Sequence, residues 1–119
     1  MSYPRTAQAD TAPTVSTENT QPIHVTIDEA LEELIPTFLA NRRKDVETLR
    51  QALATSDFRS IQLLGHRLRG DAGGYGFEAM GEMGTKLEAA AERQDCEAIE
   101  RQIALFVDYL NRVRITYQA

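Results

Sequence analysis

The chain has 119 residues, 42% of them hydrophobic, and a formal net charge of −5. That suits one domain with a real core and is too acidic overall for non-specific nucleic-acid binding. One cysteine (Cys96) excludes an internal disulfide, two histidines do not suggest a structural zinc site, and no apolar run approaches the roughly 20 residues of a membrane span.

Residues 1–23 are rich in Thr, Ser and Pro and poor in large apolar side chains. They bury too little surface to offset the entropy of ordering, so a flexible tail is expected there, followed by one domain over residues 24–119. No signal-peptide core is visible, and the expectation is a soluble cytoplasmic protein.

Thr26 and Glu29 have the spacing of a capping box, which predicts a short first helix carrying Ile27, Leu31 and Leu34. Pro36 ends it and starts a second helix that keeps a helical period through Phe38, Leu39, Val46, Leu49 and Leu53. Asp57 is placed to cap a third helix from Phe58 to about Gly73, with Gly74-Tyr75-Gly76 as the turn that follows. A fourth helix bears Phe77, Met80, Met83, Leu87 and Ala91 on one side, and its Gly81 and Gly84 suggest close contact with a neighbouring helix. Asp95 caps a fifth, with Ile99, Ile103, Phe106, Leu110, Val113 and Tyr117 at alternating steps of four and three. No strand is expected. Short connections imply an all-α, antiparallel up-and-down four-helix bundle with a short extra N-terminal helix. The stripe of the fifth helix is needed inside that bundle, so a monomer is expected.

One stretch of the third helix stands out. At 3.6 residues per turn, His66, Arg69, Gly70 and Gly73 share a face opposite the core stripe of Ile61, Leu64, Leu68 and Ala72. A glycine costs about 1 kcal/mol against alanine inside a helix. Two of them beside an imidazole clear space for a large partner, and Leu63, one turn back, offers that partner an apolar contact. An imidazole is nucleophilic at neutral pH, because its ordinary pKa is about 6.5. With a cation one turn away, it suits transient capture of a phosphoryl group. Gly73-Gly74-Tyr75-Gly76 lacks both the Lys-Ser/Thr of a P-loop and a preceding strand, so it reads as a turn. Asp71 points about 140° round the helix from His66, and neither it nor His24 is placed to orient the ring. Arg42, Arg43 and Lys44 form a basic cluster; Arg42 and Arg43 are a candidate docking patch for an acidic partner.

The segment His66-x-Leu68-Arg69-Gly70, then Gly73 and Gly76, resembles the signature of histidine-containing phosphotransfer (HPt) domains. Leu34-Ile35-Pro36-x-Phe38-Leu39, Arg43-x-Asp45-Val46, Leu49-x-x-Ala52-Leu53, Asp57-Phe58 and Leu87-Glu88-x-Ala90-Ala91 extend the likeness over about residues 27–113. The resemblance implies a carrier more than an enzyme. His66 would be phosphorylated, through Nε2, in exchange with aspartates of response-regulator receiver domains or hybrid sensor histidine kinases. Arg69 would stand where the family usually has lysine, keeping the charge but changing its shape and reach. No cofactor or metal would belong to this chain; Mg²⁺ would sit on the partner receiver. Two other readings are a phosphoacceptor module of a chemotaxis-type histidine kinase and a helical adaptor that never carries phosphate.

Overall fold

In the computed structural model, which describes residues 21–119, four helices make the body of the protein. They are α1 (Ile35–Ala54), α2 (Phe58–Tyr75), α3 (Glu78–Glu92) and α4 (Cys96–Arg112). Each packs on its neighbours in the cycle α1-α2-α3-α4-α1. The seam between them is filled by Phe38, Val46 and Leu49 from α1, Ile61, Leu64, Leu68 and Ala72 from α2, Met80 and Leu87 from α3, and Ile99, Ile103, Phe106 and Leu110 from α4, all buried. Burying each larger side chain contributes about 1.5–3 kcal/mol. These positions are the stripes that a 3.6-residue period selects.

The helix ends follow local chemistry. Pro36 lies in the first turn of α1, where its missing N–H is not needed. The Asp57 carboxylate accepts from the Ser60 amide at 3.1 Å and the Ser60 hydroxyl at 2.7 Å, and these bonds hold its carboxyl below the usual range. Asp95 caps α4 in the same way, accepting from the Ala98 amide at 3.1 Å. α2 ends at Gly76, whose φ of 96° is the left-handed conformation that glycine adopts without strain.

Both ends of the described chain depart from the expected helices. Residues Ile23–Asp28 form a strand, β1, which pairs in parallel with β2 (Val113–Gln118) in the register Ile23 with Val113. The fold therefore contains a two-stranded sheet beside its helices. Ile23, on the tail side of the expected boundary, is the first residue of β1; of the rest of the expected tail, residues 1–20 lie outside the described residues. Thr26 belongs to the strand and caps no helix. A short 3₁₀ helix, Glu29–Leu34, follows, with the Asp28 carboxylate accepting from the Ala30 amide at 2.9 Å. At the other end α4 stops at Arg112, so Val113 and Tyr117 alternate on β2 instead of extending the α4 stripe. The turn after α2 is also tighter than expected, because Gly74 and Tyr75 are still helical.

The closest helix–helix approach is between α2 and α3. A Cβ at Gly65 would lie 2.7 Å from the Gly84 carbonyl oxygen and 2.8 Å from the Glu88 amide, and a Cβ at Gly84 would lie 2.6 Å from the Gly65 carbonyl oxygen. Backbone cannot yield as a side chain does. Gly84→Ala should therefore cost about 1–3 kcal/mol, seen as a lower denaturation midpoint with an unchanged slope.

Candidate functional site

The middle turn of α2 projects His66 and Arg69 to solvent from the rim of this close contact. The His66 side chain is 58% exposed, and that of Arg69 is 49% exposed. Across the seam, α3 presents Glu88, which is only 23% exposed. Its Oε2 lies 3.2 Å from His66 Nδ1, and its Oε1 lies 3.6 Å from Arg69 Nη1. Arg69 Nη2 is 3.3 Å from the same Nδ1. The three side chains form one cluster, joined by contacts one helical turn apart on α2 and 22 residues apart across the seam.

Nδ1 can serve only one of its two neighbours. Accepting from Arg69 would put the ring proton on Nε2 and remove that nitrogen's lone pair. Donating Nδ1–H to Glu88 makes a charge-assisted hydrogen bond and leaves the Nε2 lone pair available for attack. The second arrangement satisfies the carboxylate and leaves Arg69 ion-paired with Glu88. It gives an exposed nucleophile, a carboxylate behind it and a guanidinium beside it. A cleft of about 620 Å³ lies away from the ring, between α1 and α4, lined by Leu53, Cys96, Ile103 and their neighbours. His66 thus faces open surface, which suits a macromolecular partner better than an enclosed small substrate.

The other expected residues divide into two groups. Gly70 and Gly73 are exposed on α2, with nothing within 4 Å of where a Cβ would stand, and Leu63 on the same helix is 52% exposed. Arg42 and Arg43 are used elsewhere and have no hydrogen bond or ion pair to His66. Arg42 lies 4.7 Å from the Phe38 ring centroid, with Nε 2.7 Å from Asp45 Oδ2. Even so, burial outweighs that cation and pushes the Asp45 carboxyl up. Arg43 reaches over to α4 and donates to the Leu110 carbonyl at 2.8 Å and to Asn111 Oδ1 at 3.2 Å. Asp71 lines the cleft between α1 and α2 with Arg42 and Arg67, and His24 is exposed on β1. Among the described residues no group of three or more His, Cys, Asp or Glu side chains is gathered as a metal site would need. Glu88 is the one member of the cluster that spacing along the chain did not single out.

A profile of the Hpt domain matches residues 33–115, most of the chain and all four helices. The chain belongs to the Hpt domain family. No curated protein and no solved structure matches it significantly. Hpt domains are phosphocarrier modules of two-component signalling and interact with receiver domains, and the exposed His66 is the one histidine within the matched residues 33–115. No helix among the described residues is long and apolar enough to cross a membrane.

The open glycines of this Hpt domain separate fold from access. Gly70→Ala relieves the helix of a glycine at no steric cost, so it should raise stability by about 0.5–1 kcal/mol. The same methyl group stands one turn from the imidazole, so phosphoryl transfer should slow. Unfolding and transfer assays on the one variant check both signs.

Proposed function

We propose that this Hpt domain is a phosphorelay carrier. It takes a phosphoryl group on His66 from a receiver-domain aspartate or a hybrid sensor histidine kinase and passes it to another receiver aspartate. The observation that carries this reading is the Glu88 carboxylate on Nδ1, which turns an exposed surface histidine into an oriented nucleophile. Leu63, Gly70 and Gly73 form the face on which the receiver docks. The bundle is read as up-and-down and antiparallel, a reading supported by Gly65 meeting Gly84 and Glu88 while Gly73 lies towards Gly81. The domain begins with β1 at Ile23, one residue before the expected boundary, and works in the cytoplasm.

In the acceptor step the Nε2 lone pair forms a bond to phosphorus as the bond from phosphorus to the aspartate oxygen breaks, and the carboxylate leaves with the electron pair. The ring becomes cationic, with its proton on Nδ1, and Glu88 stabilises that charge as it develops. Arg69 exchanges its contact with Glu88 for the phosphoryl oxygens. The donor step is the reverse. Mg²⁺ and the acidic residues that hold it are contributed by the receiver; on this chain Glu88 is already committed to two cationic or donor groups. The chain acts as a carrier and completes no turnover by itself.

Incubation with a phosphorylated receiver should move label onto this chain. The label should be acid-labile and alkali-stable, and His66→Gln should abolish it; label persisting in that variant contradicts the assignment. Glu88→Ala should leave receiver affinity unchanged and slow transfer on the order of tenfold or more, the equivalent of about 1.4 kcal/mol of transition-state stabilisation. Glu88→Gln keeps an acceptor oxygen without the charge and should fall between that variant and the wild type. Rapid-quench transfer rates set beside equilibrium binding distinguish these cases.

A further inference from the structure

Arg69 is held on the back of the imidazole. Its guanidinium lies 3.3 Å from His66 Nδ1 and 3.6 Å from Glu88 Oε1, both on the side of the ring away from Nε2. Neither contact is strong. A charge-assisted N–H···O bond closes to about 2.7–2.9 Å, and a pair whose arginine is 49% exposed is well solvated. Nδ1 cannot accept from Arg69 while it donates to Glu88. Glu88, the more buried partner, keeps its bond to Nδ1 whether Arg69 stays or leaves. The arginine is therefore kept near the ring, charged and easily released.

Glu88 also sets a condition on what approaches. Its carboxylate is a fixed negative charge one imidazole away from the place a phosphoryl group must take. An anionic group at Nε2 is repelled by it, and a cation beside both offsets that repulsion. Among the described residues, Arg69 is the one arginine or lysine in hydrogen-bond or ion-pair contact with His66 or Glu88.

We propose that Arg69 makes docking conditional on phosphate: the unphosphorylated chain binds a phosphorylated receiver more tightly than an unphosphorylated one, because the phosphoryl oxygens draw the guanidinium off Glu88 and round to Nε2. The inference rests on the relay reading of His66 and adds a rule of partner choice to it. A receiver without a phosphoryl group meets Arg69 turned back on Glu88 and gains nothing from it. A receiver carrying one offers anionic oxygens that a planar guanidinium meets with two parallel N–H bonds. Glu88 gives up little in the exchange, since it retains Nδ1–H. One side chain thus couples the docking face to the phosphoryl group, and unphosphorylated receivers compete poorly for a carrier that has nothing to pass to them.

The test uses the full chain and a panel of purified receivers, each with Mg²⁺ alone and with Mg²⁺ and beryllofluoride, a stable mimic of the aspartyl phosphate. Titration calorimetry should find a receiver that binds on the order of tenfold more tightly when loaded, within the usual range for coupled sites. Arg69→Ala should leave the affinity for the unloaded receiver unchanged and bring the loaded one down to it or below, because Glu88 is then unopposed. Combining Arg69→Ala with Glu88→Gln should remove the preference in either direction. Arg69→Lys keeps the charge without the fork and should retain part of it. An arginine that served only the fold would weaken both forms equally. A preference that survives Arg69→Ala belongs to the receiver's own change of shape and overturns the proposal, as does a panel in which no receiver binds more tightly when loaded. Label transfer reports separately on the relay: an Arg69-dependent preference with no label on His66 overturns the relay alone, and transfer without the preference overturns this inference alone.

Discussion

The distance between α2 and α3 is the constraint on which the site rests. Helix axes ordinarily stand 8–10 Å apart, with side chains filling the gap. Gly65 and Gly84 remove that filling where the two helices meet, so backbone lies where a Cβ would otherwise be. At that separation a Glu88 side chain rooted in α3 reaches a ring rooted in α2. Move the helices apart by one methyl group on each side and the 3.2 Å contact from Nδ1 to Oε2 becomes difficult to keep. Each glycine costs about 1 kcal/mol of helix propensity, and that cost is offset by dense packing of Leu68 and Leu87, both buried, around the crossing.

The seven glycines therefore fall under different physical rules. Gly65 and Gly84 are required by neighbouring backbone, and Gly76 by its own φ. Gly70 and Gly73 are required by neither, since open space surrounds them. In the proposed relay that open space is what a docking receiver uses. The helical period made that argument available from the chain alone, because it is local: His66, Arg69, Gly70 and Gly73 are related by three or four residues. The Glu88 contact was not legible in that way. It spans 22 residues and depends on a separation set by Gly65, whose position between Leu64 and His66 reads as nothing more than the border of the core stripe. Family resemblance placed Leu87-Glu88 on the next helix without showing what the carboxylate touches.

The strands were hidden for a related reason. Val113 and Tyr117 satisfy two periods at once: three and seven residues beyond Leu110, and a period of two through Ile115. Only the partner decides between them, and that partner, Ile23–Asp28, lies about ninety residues earlier in the chain. At the other end, Thr26 and Glu29 matched a capping box, but the β-branched run Val25-Thr26-Ile27 suits a pleated strand better once β2 is beside it. Helix positions in the body were recovered because each amphipathic stripe reports its own burial. Strand positions depend on a pairing that no local window contains.

The basic pair in α1 connects these two lessons. As a run of charge, Arg42 and Arg43 look like surface available to a partner, and spacing offers no objection. Yet α4 does not fade into a loop; it ends abruptly, because Val113 turns to extended geometry at φ −66° and ψ 135° to enter β2. That turn strands the last carbonyls of the helix, which have no amide ahead of them to accept from. Arg43 supplies the donor to Leu110 from the neighbouring helix, and its positive charge also complements the negative end of the α4 dipole. The use of Arg43 is thus a consequence of the strand. The end of one helix thus sets the use of a side chain on another, because unpaired backbone groups must be satisfied by whichever side chain can reach them.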